Sequence, residues 1–249
     1  MATTVISAFN DFQKNIVNLD STTSSTARSS RNWLLDQISK FPENNDNFPN
    51  LYPEIDIGFG SFARKTKTRP LDDIDLMVGI KADGCTYYER SWDDIELKFP
   101  ENYSGKLKKY AKTLDSSALS STRITNAFKS ELSKVSQYSS AEIKRDGEAA
   151  TLKLKSYTWN FDIVPCFLTS PDSDGNSYYL IPNRSGSWKK TNPKTDRDRL
   201  SAVNQNQSGN VLNVIRILKY WKQEKKVNIG SYLLEAMILY YYESKSNDT

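Results

Sequence analysis

Val5, Phe9, Phe12, Ile16 and Val17 recur at three- and four-residue spacing, which predicts a helix over about residues 4–19. Residues 20–23 supply polar cap candidates. A second helix is predicted through Trp33, Leu34, Leu35 and Ile38, ending before Pro42. Residues 43–51, rich in Asn and Pro, read as a loop. From Glu54 the apolar period shortens to two. Glu54-Ile-Asp-Ile-Gly-Phe-Gly60 predicts a strand that ends in glycines, residues 61–69 a short basic turn-helix, and residues 71–80 a second strand. Residues 100–138 are expected to be mostly helical, with a break near 116–121. A hairpin is predicted across Asp146-Gly147, joining residues 141–145 to 150–155. Strands over 159–168 and 178–181 follow, then helices over about 194–206, 210–225 and 230–243. The order predicts an α+β fold: a lobe with a mixed sheet over residues 1–190, N-terminal helices included, and a helical lobe over 191–249.

Composition narrows the chemistry. The chain has 249 residues, 37% hydrophobic and 26% charged, which suits a folded globular protein. A net charge of +4 permits a basic face without demanding a nucleic-acid partner. There is no histidine, so Ser-His-Asp triads, Cys-His dyads and His-bearing zinc sites are excluded. Cys85 and Cys166 are expected to be free thiols. The N-terminus lacks a basic start and an apolar run, and the apolar stretch 233–242 is too short to cross a bilayer. A soluble cytoplasmic protein is therefore expected.

The candidate chemistry is carried by carboxylates. Asp73 and Asp75 are two apart on a predicted strand, so their side chains share one face. Such a pair repels itself unless a cation is held between, and Mg²⁺ binds through a few carboxylates, waters and substrate phosphates. Upstream, Gly60-Ser61 forms a turn able to present N–H groups and a hydroxyl to phosphate oxygens. Asp162 lies in an apolar strand, WNFDIVPCF, where an acid is costly without a partner. As a third carboxylate beside the first two it would complete a two-metal site for in-line displacement.

Gly60-Ser61, a spacer carrying Arg64 and Arg69-Pro70, Asp73-Ile-Asp75 and the distant Asp162 resemble the motif of the cGAS/DncV-like nucleotidyltransferases (CD-NTases). These belong to the polymerase-β-like superfamily and are related to oligoadenylate synthetase. Residues 178–194, Ile217-Leu-Lys-Tyr-Trp221 and Gly230-Ser-Tyr-Leu-Leu-Glu235 resemble later family segments, so the likeness spans about residues 8–243. The resemblance implies a polymerase-β-like lobe and a cyclic oligonucleotide synthase of bacterial anti-phage (CBASS) signalling. It implies two Mg²⁺ ions, or Mn²⁺, on Asp73, Asp75 and Asp162. It implies triphosphate binding by Gly60 and Ser61, β- and γ-phosphate contacts from Lys219 and Ser231, and base stacking on Tyr232. The implied partners are nucleoside triphosphates such as ATP and GTP, with an effector activated by the product and not touched directly. A monomer is expected, with no membrane and no required nucleic acid. Family members usually carry more helix after the segment matching residues 231–242, so a compact or truncated helical lobe is expected. The same fold also serves transferases acting on an RNA end or on a protein or small-molecule acceptor, and a silent nucleotide-binding module is a further alternative.

Overall fold

The computed structural model describes residues 4–246. In chain order the helices are α1 (Val5–Phe12), α2 (Ser21–Ser39), α3 (Phe41–Asn44), α4 (Gly60–Ala63), α5 (Ser121–Leu132), α6 (Pro193–Asn206), α7 (Val211–Glu224) and α8 (Ser231–Ser246). The strands are β1 (Ile57–Phe59), β2 (Asp73–Gly79), β3 (Thr86–Ser91), β4 (Asp94–Lys98), β5 (Glu142–Asp146), β6 (Ala149–Lys153), β7 (Asn160–Leu168), β8 (Tyr179–Pro182) and β9 (Trp188–Thr191). Two compact units result. One holds residues 29–59 and 72–192 and carries every strand. The other holds 4–28, 60–71 and 193–246 and is helical.

In the sheet-bearing unit the strand order is β1-β2-β7-β8-β9-β4-β3, and the β5–β6 hairpin joins through β6 to β7. β2 and β7 run parallel; the other pairings are antiparallel. Both central strands alternate at first and then turn wholly apolar. Ile74, Leu76, Phe161 and Ile163 are buried, while Asp73, Asp75 and Asp162 between them stay half-buried. Trp188, fully buried in β9, donates from Nε1 to the Leu119 carbonyl at 3.2 Å and meets Phe167 edge-on. It packs, as its size favours.

Several expectations change. The N-terminal helix is two pieces: α1, capped by Thr4 whose hydroxyl accepts from the Ser7 N–H, then a π turn over Gln13–Val17. The β3–β4 hairpin and β9 were not expected. The region 100–138 holds one α-helix, α5, plus 3₁₀ turns at Lys106–Tyr110 and Ser136–Tyr138. Its polar backbone is satisfied by sheet-like bonds, Leu119 N–H to Leu97 and Phe99 N–H to Ser117.

Asp56, just before β1, accepts the Gly79 N–H at 2.7 Å, and burial pushes its carboxyl up to about 6. The charged form is therefore disfavoured in the folded chain. Its cost is absent below about pH 4 and fully present once pH has risen through about 6. Asp56→Asn keeps an acceptor for Gly79 and drops the charge. After allowance for partial solvent exposure, the variant is expected to be more stable at pH 7.5 by about 1–2 kcal/mol. The advantage should vanish toward pH 4, as read by urea unfolding at the two pH values.

In the helical unit, Leu200 and Val203 of α6, Val211 and Ile215 of α7, and Ile238 and Leu239 of α8 form one buried cluster. Among the described residues no helix is long and apolar enough to cross a membrane.

Candidate active site

The pairing of β2 with β7 sets the acidic face. Cα partners run Asp73 with Asn160 and Asp75 with Asp162. Residues directly opposite in a sheet share a face, as do residues two apart on one strand. Asp73, Asp75 and Asp162 therefore stand on the same side of the sheet. On the other side of Asp162, Thr151 of β6 is its direct partner, and the Thr151 hydroxyl donates to Asp162 Oδ1 at 2.6 Å. Burial raises the Asp162 carboxyl above the usual range. The Thr151 hydrogen bond opposes that rise, and the negative charge of Asp73 adds to it. Among the described residues no group of three or more Cys, Asp or Glu is drawn close enough to hold a metal ion. Carboxylate oxygens, three of them carried on one face, are the donor type that a hard divalent cation takes.

The other expected residues lie in the helical unit. β1 ends at Phe59, the Cα partner of Asp75, and the chain enters Gly60 next. Gly60 adopts φ +68, a conformation that a side chain disfavours. The Ser61 carbonyl accepts from the N–H groups of Thr66 and Lys67, at 2.9 and 3.1 Å, which closes the turn. Lys219 of α7 is only 8% exposed and its ammonium reaches Glu235 of α8 at 2.8 Å. Burial lowers its pKa, Glu235 raises it, and Arg64 and Lys67 lower it again. Ser231 opens α8, and its hydroxyl accepts from Lys222 at 3.1 Å. Tyr232 is exposed, donates its hydroxyl to Asp196 at 2.9 Å and lies under the Arg64 guanidinium, 5.7 Å from the ring centre.

Sequence reasoning overlooked Glu235. Its two carboxylate oxygens take Lys219 and the Thr66 hydroxyl (2.9 Å) on one side and Arg64 (3.2 Å) on the other. The available signal was an acid inside the apolar run of α8, SYLLEAMILYYY, where a lone carboxylate is costly.

No family model matches the chain. Over 246 residues it is 47% identical to a protein of Bacillus cereus (strain VD146) described as a probable cyclic nucleotide synthase. That match covers 98% of this chain and 73% of the relative. The structure of E. coli MS115-1 CdnC with ATP is similar with a TM-score of 0.60 and 19% identity, over 95% of this chain and 64% of that one. The CdnC:HORMA-deltaN complex gives 0.58 and 20%, over 96% and 64%. The chain thus spans just under two thirds of the solved chains it matches. The fold is a nucleotidyltransferase fold of mixed α and β elements. The chain belongs to the CD-NTase family of cyclic nucleotide synthases.

Proposed function

We propose that the chain joins nucleoside triphosphates into a cyclic di- or trinucleotide, releasing pyrophosphate at each condensation. The observation that carries this reading is the β2–β7 register, which faces Asp75 with Asp162 and keeps Asp73 on the same side. The description of the 47% identical relative supports it. In each step a ribose hydroxyl of one nucleotide attacks the α-phosphorus of another. The new P–O bond forms as the bond to the pyrophosphate oxygen breaks, and the hydroxyl proton passes to a base. Ring closure repeats the step within the linear product.

Asp73, Asp75 and Asp162 would hold Mg²⁺ or Mn²⁺, two ions in this reading. Such ions supply charge neutralisation at the triphosphate and at the attacking and leaving oxygens. Asp162, oriented by Thr151, takes the proton of the attacking hydroxyl through its second oxygen. Gly60 and Ser61 bind the triphosphate, Lys219 and Ser231 contact its outer phosphates, and Tyr232 stacks on the base. The product is a second messenger for a separate effector in anti-phage signalling.

Incubation with ATP, GTP, CTP and UTP plus Mg²⁺, read by mass spectrometry, tests the reading. A phosphatase-resistant product of cyclic mass and released pyrophosphate are expected. Label transferred to tRNA or protein would instead favour an acceptor transferase, and tight binding without turnover a silent module. Tyr232→Ala is expected to raise KM about tenfold with little change in kcat, since stacking contributes about 1–3 kcal/mol per base. Tyr232→Phe should stay near wild type in the same assay.

A further inference from the structure

The basic run after the Gly60-Ser61 turn divides three ways. Arg64 goes to Glu235. Arg69 donates to the backbone carbonyls of Lys14, Asn15 and Asn18. Lys65 lines a cavity of about 250 Å³, together with Lys67, Arg28 of α2, Arg216 of α7, Asn18 and Phe62. None of the described residues lining it is acidic. Arg28, Lys65 and Arg216 around one cavity repel each other, and an anion placed among them relieves that repulsion.

Local geometry sharpens the ligand. Lys65 holds φ +60, a left-handed conformation costing a non-glycine residue about 1 kcal/mol. In that conformation its carbonyl accepts from Arg216 Nη1 at 3.0 Å, while Arg216 Nη2 donates to Asn213 at 2.6 Å. The guanidinium is therefore fixed on two of its nitrogens. Its third, Nε, is buried without a hydrogen-bond partner, and so is Asn18 Oδ1. Buried polar atoms without partners are rare and call for an explanation. An orphan guanidinium N–H suits a phosphate oxygen. The orphan Asn18 oxygen needs a donor, which a phosphate dianion lacks and a ribose hydroxyl or base amino group has. Phe62 adds apolar surface for the nucleoside part.

We propose that this cavity is a nucleotide-binding site held by the phosphate. All its residues lie in the helical unit and none is among those assigned to catalysis. The site does not rest on the cyclic-nucleotide reading. Calorimetry on the full chain in EDTA, with AMP and with inorganic phosphate as probes, tests it. AMP is expected to bind more tightly than phosphate. Arg28→Glu and Lys65→Glu should each weaken AMP at least about tenfold, the loss of one charge-assisted contact. Asp75→Ala and Tyr232→Ala should leave AMP affinity unchanged, so failure of the catalytic reading would not mimic failure here. Should a reversal fail to fold, Arg28→Gln and Lys65→Gln replace it, with loss expected in the same direction. The site is overturned if wild type does not bind AMP, if phosphate binds as tightly as AMP, or if Tyr232→Ala removes the binding and the reversals do not. Binding of a DNA duplex in place of AMP, sensitive to the reversals, would overturn it in favour of a nucleic-acid contact.

Discussion

Asp75→Ala is expected to lower pyrophosphate release from mixed nucleoside triphosphates by at least about 10³-fold, with the fold retained. The direction on activity follows from position. Asp75 is the residue directly opposite Asp162 in the β2–β7 pair and lies two residues from Asp73, so it is the centre of the acidic face. Asp75→Asn keeps the shape and should lose activity to the same extent. Retention of activity within about tenfold in either variant would remove Asp75 from the catalytic set. Melting curves of the same samples separate a chemical loss from unfolding.

The second large effect concerns Glu235. Replacing it with Leu strands the Lys219 ammonium in a position only 8% exposed, and also deprives Thr66 and Arg64 of their acceptor. Removing one partner of a buried ion pair costs about 3–5 kcal/mol, because the other charge stays buried without compensation. For a chain of this size that corresponds to a fall in Tm on the order of 10 °C. Lys219→Met combined with Glu235→Leu should recover much of the loss, since an apolar pair tolerates the same surroundings. A double-mutant cycle by denaturant unfolding measures the coupling. Additive losses in the double variant would show that the pair does not act as a unit.

The central strands were legible because their pattern is strong. Ile74, Leu76, Phe161 and Ile163 alternate with acids before each strand turns apolar, and that alternation placed both strands and all three carboxylates. The hairpin of β3 and β4 was not legible. Every residue of β3 is exposed, so no buried face imprints a period on TYYERS. Residues 100–138 misled through composition: polar and Lys-rich stretches read as solvated helix, whereas Leu107, Leu119 and Ile124 are buried contacts of turns, a bridge and a single helix. The Gly60-Ser61 turn was readable as a local motif. The Lys219–Glu235 pair was not, because it joins two helices and its partners include Thr66 and Arg64, far away in sequence.

The parallel pairing of β2 with β7 also has a consequence during synthesis. β1 can pair with β2 soon after both leave the ribosome, but β7 follows β2 by roughly ninety residues, or about 5–20 s at usual elongation rates. For that interval the second edge of β2 is open, with Met77 and Val78 exposed to other nascent chains. Asp73 and Asp75 at the head of the strand are the kind of charges that block edge-to-edge association. The carboxylates proposed for the reaction thus sit where a gatekeeper charge would, before any reaction can occur.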